Sequence, residues 1–282
     1  MGEQDIKMTV ETFICLRDLV YEKTGIYFAE NKKYFLENRL QKRVLDRNFK
    51  SFEEYHFFLK YDPRRIQEYP LLYDSITTNE TSFFRNPLQL EAFENYVLGE
   101  ITKQAVSPGL KKLRILSLPC STGEEPYTLS MICLEKKLPE QGWSLDIQSG
   151  DISEAALQSA RRAVYGRNAI RNTPPHYLHK YFTGTEGENF AVKEEVKRFV
   201  RFENINLADS AKMKLFKNFD VIFCRNVLIY FDEKMKKKVV ADLYDALKPG
   251  GYLFIGHSES LHNISRAFRL VNFSRSPIYK KE

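Results

Sequence analysis

From Leu113 onward, apolar strand-like runs alternate with helical stretches, and this alternation constrains the fold more than any other feature of the chain. The strand-like runs are residues 113–118, 145–150, 219–224 and 252–255. Between them lie a helical stretch from Pro126 and two more at 154–164 and 233–247. Apolar strands separated by helices predict a mostly parallel sheet flanked by helices, the α/β class. One segment breaks the rhythm. Residues 190–192 and 198–203 read as short strands after a turn-rich stretch at 184–187, which predicts a small antiparallel β insertion at about 181–204.

Residues 1–75 read differently. Phe13, Leu16 and Val20 recur at helical spacing, with Gly25 as a stop. Leu36, Leu40 and Val44 form one stripe of a helix at 31–46, and Ser51 with Glu54 has capping-box spacing before a third helix. The expectation is a helical N-terminal domain over 1–75 and a polar linker over 76–86. The α/β domain then covers 87–282, opened by Asn86-Pro87 as cap and first-turn pair.

Composition excludes other classes. Apolar residues make up 43% of the 282 and charged residues 28%, with only 13 glycines and 11 prolines, so the chain is neither disordered nor low-complexity. A net charge of +6 is too small to argue by itself for nucleic acid. Cys15, Cys120, Cys133 and Cys224 are far apart in apolar runs and read as buried thiols. His176 and His179 lack partners at a zinc-like spacing, so no metal site is expected. The first residues show no apolar signal-peptide core, and no run approaches ~18 apolar residues. A soluble, cytoplasmic protein that is not membrane-embedded is the resulting expectation.

The strand at 113–118 runs into Pro119-Cys-Ser-Thr-Gly-Glu-Glu-Pro126, a strand-to-helix turn of the kind that binds ligands at the carboxyl end of a first strand. Gly123 would let backbone approach a ligand closely. Glu124 and Glu125 crowd the helix start, which repels phosphate but suits a ligand bearing sulfonium, ammonium or sugar hydroxyls, such as S-adenosylmethionine. Asp151 ends the second strand, where ribose hydroxyls are held in nucleotide folds. Arg225 and Asn226 end the third run, and Lys248-Pro-Gly-Gly251 leads into the fourth.

Four motifs in this order, Asn79-Glu-Thr-Ser-Phe-Phe-Arg85, Cys120-Ser-Thr-Gly-Glu-Glu-Pro-Tyr127, Cys224-Arg-Asn-Val-Leu-Ile-Tyr-Phe231 and Leu247-Lys-Pro-Gly-Gly251 with Gly256-His-Ser-Glu259, resemble the CheR family of chemotaxis-receptor glutamate methyltransferases. The resemblance covers nearly the whole chain. It implies a Rossmann-like methyltransferase domain behind the helical domain, S-adenosylmethionine as donor and S-adenosylhomocysteine as product. It also implies the cytoplasmic helical region of chemoreceptors as partner. By motif, Asn79, Thr81 and Arg85 would touch the cofactor from the linker, and one of Glu124 and Glu125, with Glu124 preferred, from the first loop. Asp151 would hold the ribose, Asn206 and Leu207 would flank the adenine, and Arg225 and Asn226 would line the methionine end. The orienting basic residue that some members carry on the helix after the linker is missing from 87–101, with Lys103 the nearest substitute. Members tethered to a receptor peptide tend to have a glycine-richer hairpin. The short loop at 183–189 and the charged run Lys193–Arg198 imply an enzyme that works untethered.

The receptor glutamate that the resemblance implies as acceptor suits the residues present. A glutamate with pKa ~4.3 is ionised at pH 7 and needs no general base, whereas a lysine with pKa ~10.4 does. Tyr230 is the candidate for orienting the acceptor, with Arg85 beside it in the catalytic set. The window 31–50 holds seven basic and two acidic side chains, and Lys32, Arg39, Arg43 and Arg47 cluster as a ridge for an acidic receptor helix. A monomer is expected. A nucleic-acid methyltransferase and a non-catalytic S-adenosylmethionine sensor are the alternatives. The first lacks its proline-bearing loop, since that place reads Asn226-Val-Leu-Ile-Tyr230.

Overall fold

The computed structural model describes residues 6–104, 111–185, 188–273 and 276–282. Four helices come first: α1 (Val10–Thr24), α2 (Lys33–Asp46), α3 (Phe52–Tyr61) and α4 (Arg65–Ile76). Thr9 caps α1 by accepting from the Thr12 amide, and Gly25 ends it at φ 73°, donating its N–H to the Tyr21 carbonyl. Ser51 accepts from the Glu54 amide at 3.2 Å, but Glu54 reaches back to the Lys50 amide at 2.8 Å, one residue before the reciprocal partner of a capping box. The stripes Phe13, Leu16, Val20 and Leu36, Leu40, Val44 meet in one buried core with Tyr55, Leu59 and Leu72.

Two helices, α5 (Pro87–Ala92) and α6 (Leu98–Gln104), follow with a π-helical turn between them. Asn86 precedes α5 at φ 63° without a side-chain cap bond, so its role is the left-handed bend rather than the expected capping. The α/β part then runs β1 (Lys112–Ser117), α7 (Glu124–Glu135), β2 (Ser144–Asp151), α8 (Glu154–Arg162), β3 (Val164–Tyr165), α9 (Arg167–Ile170) and α10 (Pro175–Tyr181). It continues with β4 (Phe182–Thr185), β5 (Asn189–Val192), α11 (Glu194–Lys197), β6 (Val200–Asn204), α12 (Ser210–Met213) and β7 (Phe219–Cys224). The last elements are α13 (Glu233–Ala246), β8 (Leu247–Ile255), β9 (Phe268–Phe273) and β10 (Ser276–Lys281).

The main sheet has the order β6-β2-β1-β7-β8-β10-β9. Its first five strands are parallel, and β10 runs antiparallel to both of its neighbours, β8 and β9. Chain order reverses between β1 and β7, the switch point whose carboxyl-end crevice receives ligands in such sheets. A Rossmann-like α/β sheet behind a helical domain is therefore the observed class.

The insertion differs from expectation. Its sheet is β3-β5-β4, and 198–203 is not in it. That segment becomes β6, paired in parallel with β2 from Ile147–Val200 to Asp151–Asn204. Its polarity is that of an edge strand. Val164–Tyr165 supplies the third strand instead, because Ala163 turns left-handed at φ 53° and ends α8 two residues early. Lys193–Arg198 is no guarded strand edge, since Glu194–Lys197 is helical. Half the basis for untethered action is thereby lost, and Gly187 lies outside the described residues. Cys15 is exposed while the other three thiols are buried, because α1 turns it away from the core stripe. No helix among the described residues is long and apolar enough to cross a membrane.

The helical domain seats directly on the sheet's carboxyl end. Ile26 bridges to Phe231, and the Tyr27 amide donates to the Tyr230 carbonyl at 2.9 Å. Tyr21 donates its hydroxyl to Asp232 at 3.0 Å, and Asn206 donates Nδ2 to the Lys23 carbonyl at 2.6 Å. A Cβ on Gly25 would lie 3.0 Å from the Met235 side chain, so the α1 cap abuts α13.

Candidate functional site

A cleft at the β1/β7 switch point encloses about 1080 Å³, its open mouth included. Both parts of the chain wall it: Thr24, Ile26 and Ile76 from the helical domain, the linker, and the loops after β1, β2, β6 and β7. The cleft brings together Asn79, Thr81, Arg85, Asp151, Asn206, Leu207, Arg225, Asn226 and Tyr230. Nothing in local spacing announced the helical-domain wall, because its contacts join residues about two hundred positions apart.

Gly123 and Glu124 stand elsewhere. Gly123 has φ 95°, and a Cβ there would meet Ala160 at 2.9 Å and the Tyr165 hydroxyl at 3.0 Å. It is glycine for its conformation and for the closeness of α8, not for approach to a ligand. Glu124 is buried on the far side, where its carboxylate accepts from the Thr122 hydroxyl at 2.7 Å. Burial pushes its pKa up against that bond. Glu125 lines the cleft instead, so the preference for Glu124 is corrected. One helical residue apart, the two carboxylates point about 100° apart, and only the second faces the ligand side.

Glu125 accepts from Ser117 Oγ at 2.7 Å and from Arg225 Nη1 at 2.8 Å. Arg225 also donates Nη2 to the Arg85 carbonyl at 3.0 Å, and its buried Nε has no partner among the described residues. Arg85 donates Nη1 to the Glu80 carbonyl at 3.0 Å, which ties the linker into a loop. Asp151 is buried; its two oxygens accept from the Ser121 amide at 2.8 Å and the Ser153 amide at 3.0 Å. Burial raises its pKa, opposed by those backbone bonds. With about four lone-pair sites, the carboxylate keeps capacity for a ligand diol. Burial also pushes the Cys120 thiol well up. Asn206 has its amide engaged, Nδ2 by the Lys23 carbonyl and Oδ1 by the Ala208 amide at 2.9 Å, so Leu207 offers the apolar contact there.

The proposed ridge is largely committed internally. Arg43 and Arg47 both pair with Glu68, at 2.8 and 2.6 Å, and Glu68 has no exposed side-chain surface. Arg39 lies over the Phe35 ring and donates to the Ser75 and Thr77 carbonyls and to Thr78 Oγ1. Lys32, and Lys42 further along α2, remain exposed. Among the described residues no group of three His, Cys, Asp or Glu is gathered as a metal ion would need.

The wall thus offers a buried carboxylate at a strand end, an apolar flank, and an arginine with an unused buried N–H beside a glutamate. A ligand with a diol, a flat base and a zwitterionic end fits this set, and S-adenosylmethionine has all three. Residues 79–276 match the family described as CheR methyltransferase, SAM binding domain, and residues 11–77 the CheR methyltransferase all-alpha domain. Chemotaxis protein methyltransferase 2 of Vibrio cholerae is 36% identical over 277 residues, 98% of this chain and 95% of that one. The chemotaxis protein methyltransferase of Borreliella burgdorferi is 36% identical over 278 residues, 98% of this chain and 96% of that one. With two domains matched in order and relatives aligned nearly end to end, the chain belongs to the CheR methyltransferase family, whose larger domain binds S-adenosylmethionine.

Proposed function

We propose that the protein methylates glutamate side chains in the cytoplasmic helical region of chemoreceptors, as a cytoplasmic monomer without a metal. The observation that carries this reading is the chemistry of the cleft wall, which among the described residues holds two arginines and neither lysine nor histidine. Of its other titratable groups, Glu125 is paired, Asp151 accepts two amides and burial pushes the Cys120 thiol up, and Glu80 and the Tyr230 hydroxyl complete the set. Such a site suits an acceptor that is already an anion, and glutamate at neutral pH is one.

When bound, S-adenosylmethionine supplies a methyl group activated by its cationic sulfur. Asp151 holds the ribose, and Asn206 and Leu207 flank the adenine. Asn79, Thr81 and Arg85 close over it from the linker. Glu125, Arg225 and Asn226 hold the methionine end. Arg85 and Tyr230 orient the acceptor carboxylate. Positioning of this kind contributes up to ~7–11 kcal/mol without proton transfer. The exposed cations of the α2 region, Lys32 and Lys42, supply attraction for an acidic receptor helix, which weakens as salt rises.

Calorimetry is expected to show binding of S-adenosylhomocysteine and none of NAD, since no glycine-rich phosphate cradle is present. Labelled methyl transferred to receptor membranes is expected to leave as methanol in mild base; base-stable label would point to nitrogen and sink the glutamate reading.

Arg39→Glu is expected to weaken S-adenosylhomocysteine binding by about 1–3 kcal/mol, because charged hydrogen bonds to the linker are lost. The separate-domain reading implies that reversal at Arg39 and Arg43 spares cofactor affinity. The tie to Thr77 and Thr78, both on the cleft wall, removes that independence. An unchanged dissociation constant would show that the linker holds its place alone.

A further inference from the structure

Glu259 follows β8 outside the cleft wall, yet its carboxylate is bonded to the loop that carries two wall residues. Oε2 accepts from the Asn226 amide at 3.0 Å and from the Gly256 amide at 2.5 Å, and Oε1 accepts from the Ile229 amide at 3.3 Å. The Glu259 amide closes the same turn onto the Gly256 carbonyl at 2.9 Å. One side chain therefore ties the end of β8 to the left-handed Asn226, at φ 59°, and to the turn Leu228–Tyr230. Asn226 and Tyr230 both face the cleft. Room for the carboxylate depends on Gly256, where a Cβ would lie 2.6 Å from Oε2 and 2.9 Å from the Asn226 nitrogen.

We infer that Glu259 is a positioning residue for methyl transfer, its carboxylate gathering three backbone N–H groups so that Asn226 and Tyr230 are held in place. The physical case is the left-handed residue. Asn226 stands in a conformation that few non-glycine residues adopt, and a half-buried backbone amide there is best satisfied by an acceptor. An anion satisfies several N–H groups at once with charge-assisted bonds, which a neutral side chain does less well. The proposal rests on the methyl-transfer reading for the role of the loop, while the tie itself is geometric.

Three variants test it with three readouts. Glu259→Ala is expected to lower kcat on receptor membranes about 10²-fold, the scale of a misplacement near the reacting atoms. The dissociation constant of S-adenosylhomocysteine is expected to rise by a much smaller factor than kcat falls, because Asn226 is one of several residues at the methionine end and Asp151, Glu125 and Arg225 are untouched. Glu259→Gln, which keeps one acceptor oxygen, is expected to recover part of kcat. Gly256→Ala crowds the same carboxylate and is expected to give the same split of kcat from affinity. Amide hydrogen exchange is expected to speed up at residues 226–230 in Glu259→Ala and not across the sheet. Wild-type kcat, an equal loss of affinity and kcat, or unchanged exchange at 226–230 would each overturn the proposal. Should the unaltered protein transfer no methyl to receptors, the methylation reading fails, and the exchange measurement still decides the role of Glu259.

Discussion

Replacing Arg225 with methionine is expected to abolish measurable methyl transfer and to cost the fold about 3–5 kcal/mol, the range for breaking one side of a buried ion pair. The substitution keeps the volume but strands Glu125, whose carboxylate is then held only by Ser117. It also frees the Arg85 carbonyl, so the linker loses its anchor to the end of β7. Chemical denaturation reads the first effect and labelled transfer the second. The double variant Glu125→Gln, Arg225→Met removes the stranded charge and is expected to regain much of the stability but none of the activity. If the double variant is no more stable than the single one, the loss has another origin than the unpaired carboxylate.

The second large effect lies far from the cleft. Glu68 accepts from Arg43, from Arg47 and from the buried Tyr55 hydroxyl at 3.0 Å, tying α2, α3 and α4 together. Glu68→Ala leaves two arginines facing each other without their shared anion, with an expected loss of about 3–5 kcal/mol. Burial alone would raise the Glu68 pKa, but the hydrogen bonds from Arg43 and Arg47 outweigh it and hold the carboxyl below its ordinary value. A carboxyl depressed in the native state contributes its full stabilisation above the unfolded pKa of ~4.3 and loses it as pH falls through the native value. The stability gap between wild type and Glu68→Gln is therefore expected to be constant near neutrality and to narrow below about pH 4. A gap that does not narrow in acid would mean that the pair's charge matters less than its shape.

The same pair shows where sequence reading stops. Seven cations in twenty residues are visible by counting, but Glu68, 25 and 21 positions beyond Arg43 and Arg47, is one acidic residue among many. The buried strands were legible because both faces of each are apolar. β6 was legible as a strand but not as part of the main sheet, since Arg201 and Glu203 stand exposed on an edge strand whose pairing with β2 spans about fifty residues. The early end of α8 was hidden because Ala163, rather than a glycine, takes the left-handed turn. In the cleft, motif order identified the residues after β2 and β7. Choosing between Glu124 and Glu125 needed the helix's rotation about its axis, which a motif does not carry.

The bridge from Ile26 to Phe231, with Gly25 set against Met235, also bears on inheritance. A recombination event at the linker would exchange residues 1–77 as one block and bring a new helical domain to an old methyltransferase domain. Such a chimera separates two short segments, 25–27 and 230–235, that meet by shape across the mouth of the cleft. They are about two hundred residues apart, so no single crossover transfers both. Swapping helical domains between relatives therefore calls for co-transplanting a second, distant patch. Without it, the hybrid has both domains intact and a misfitted seam beside Tyr230.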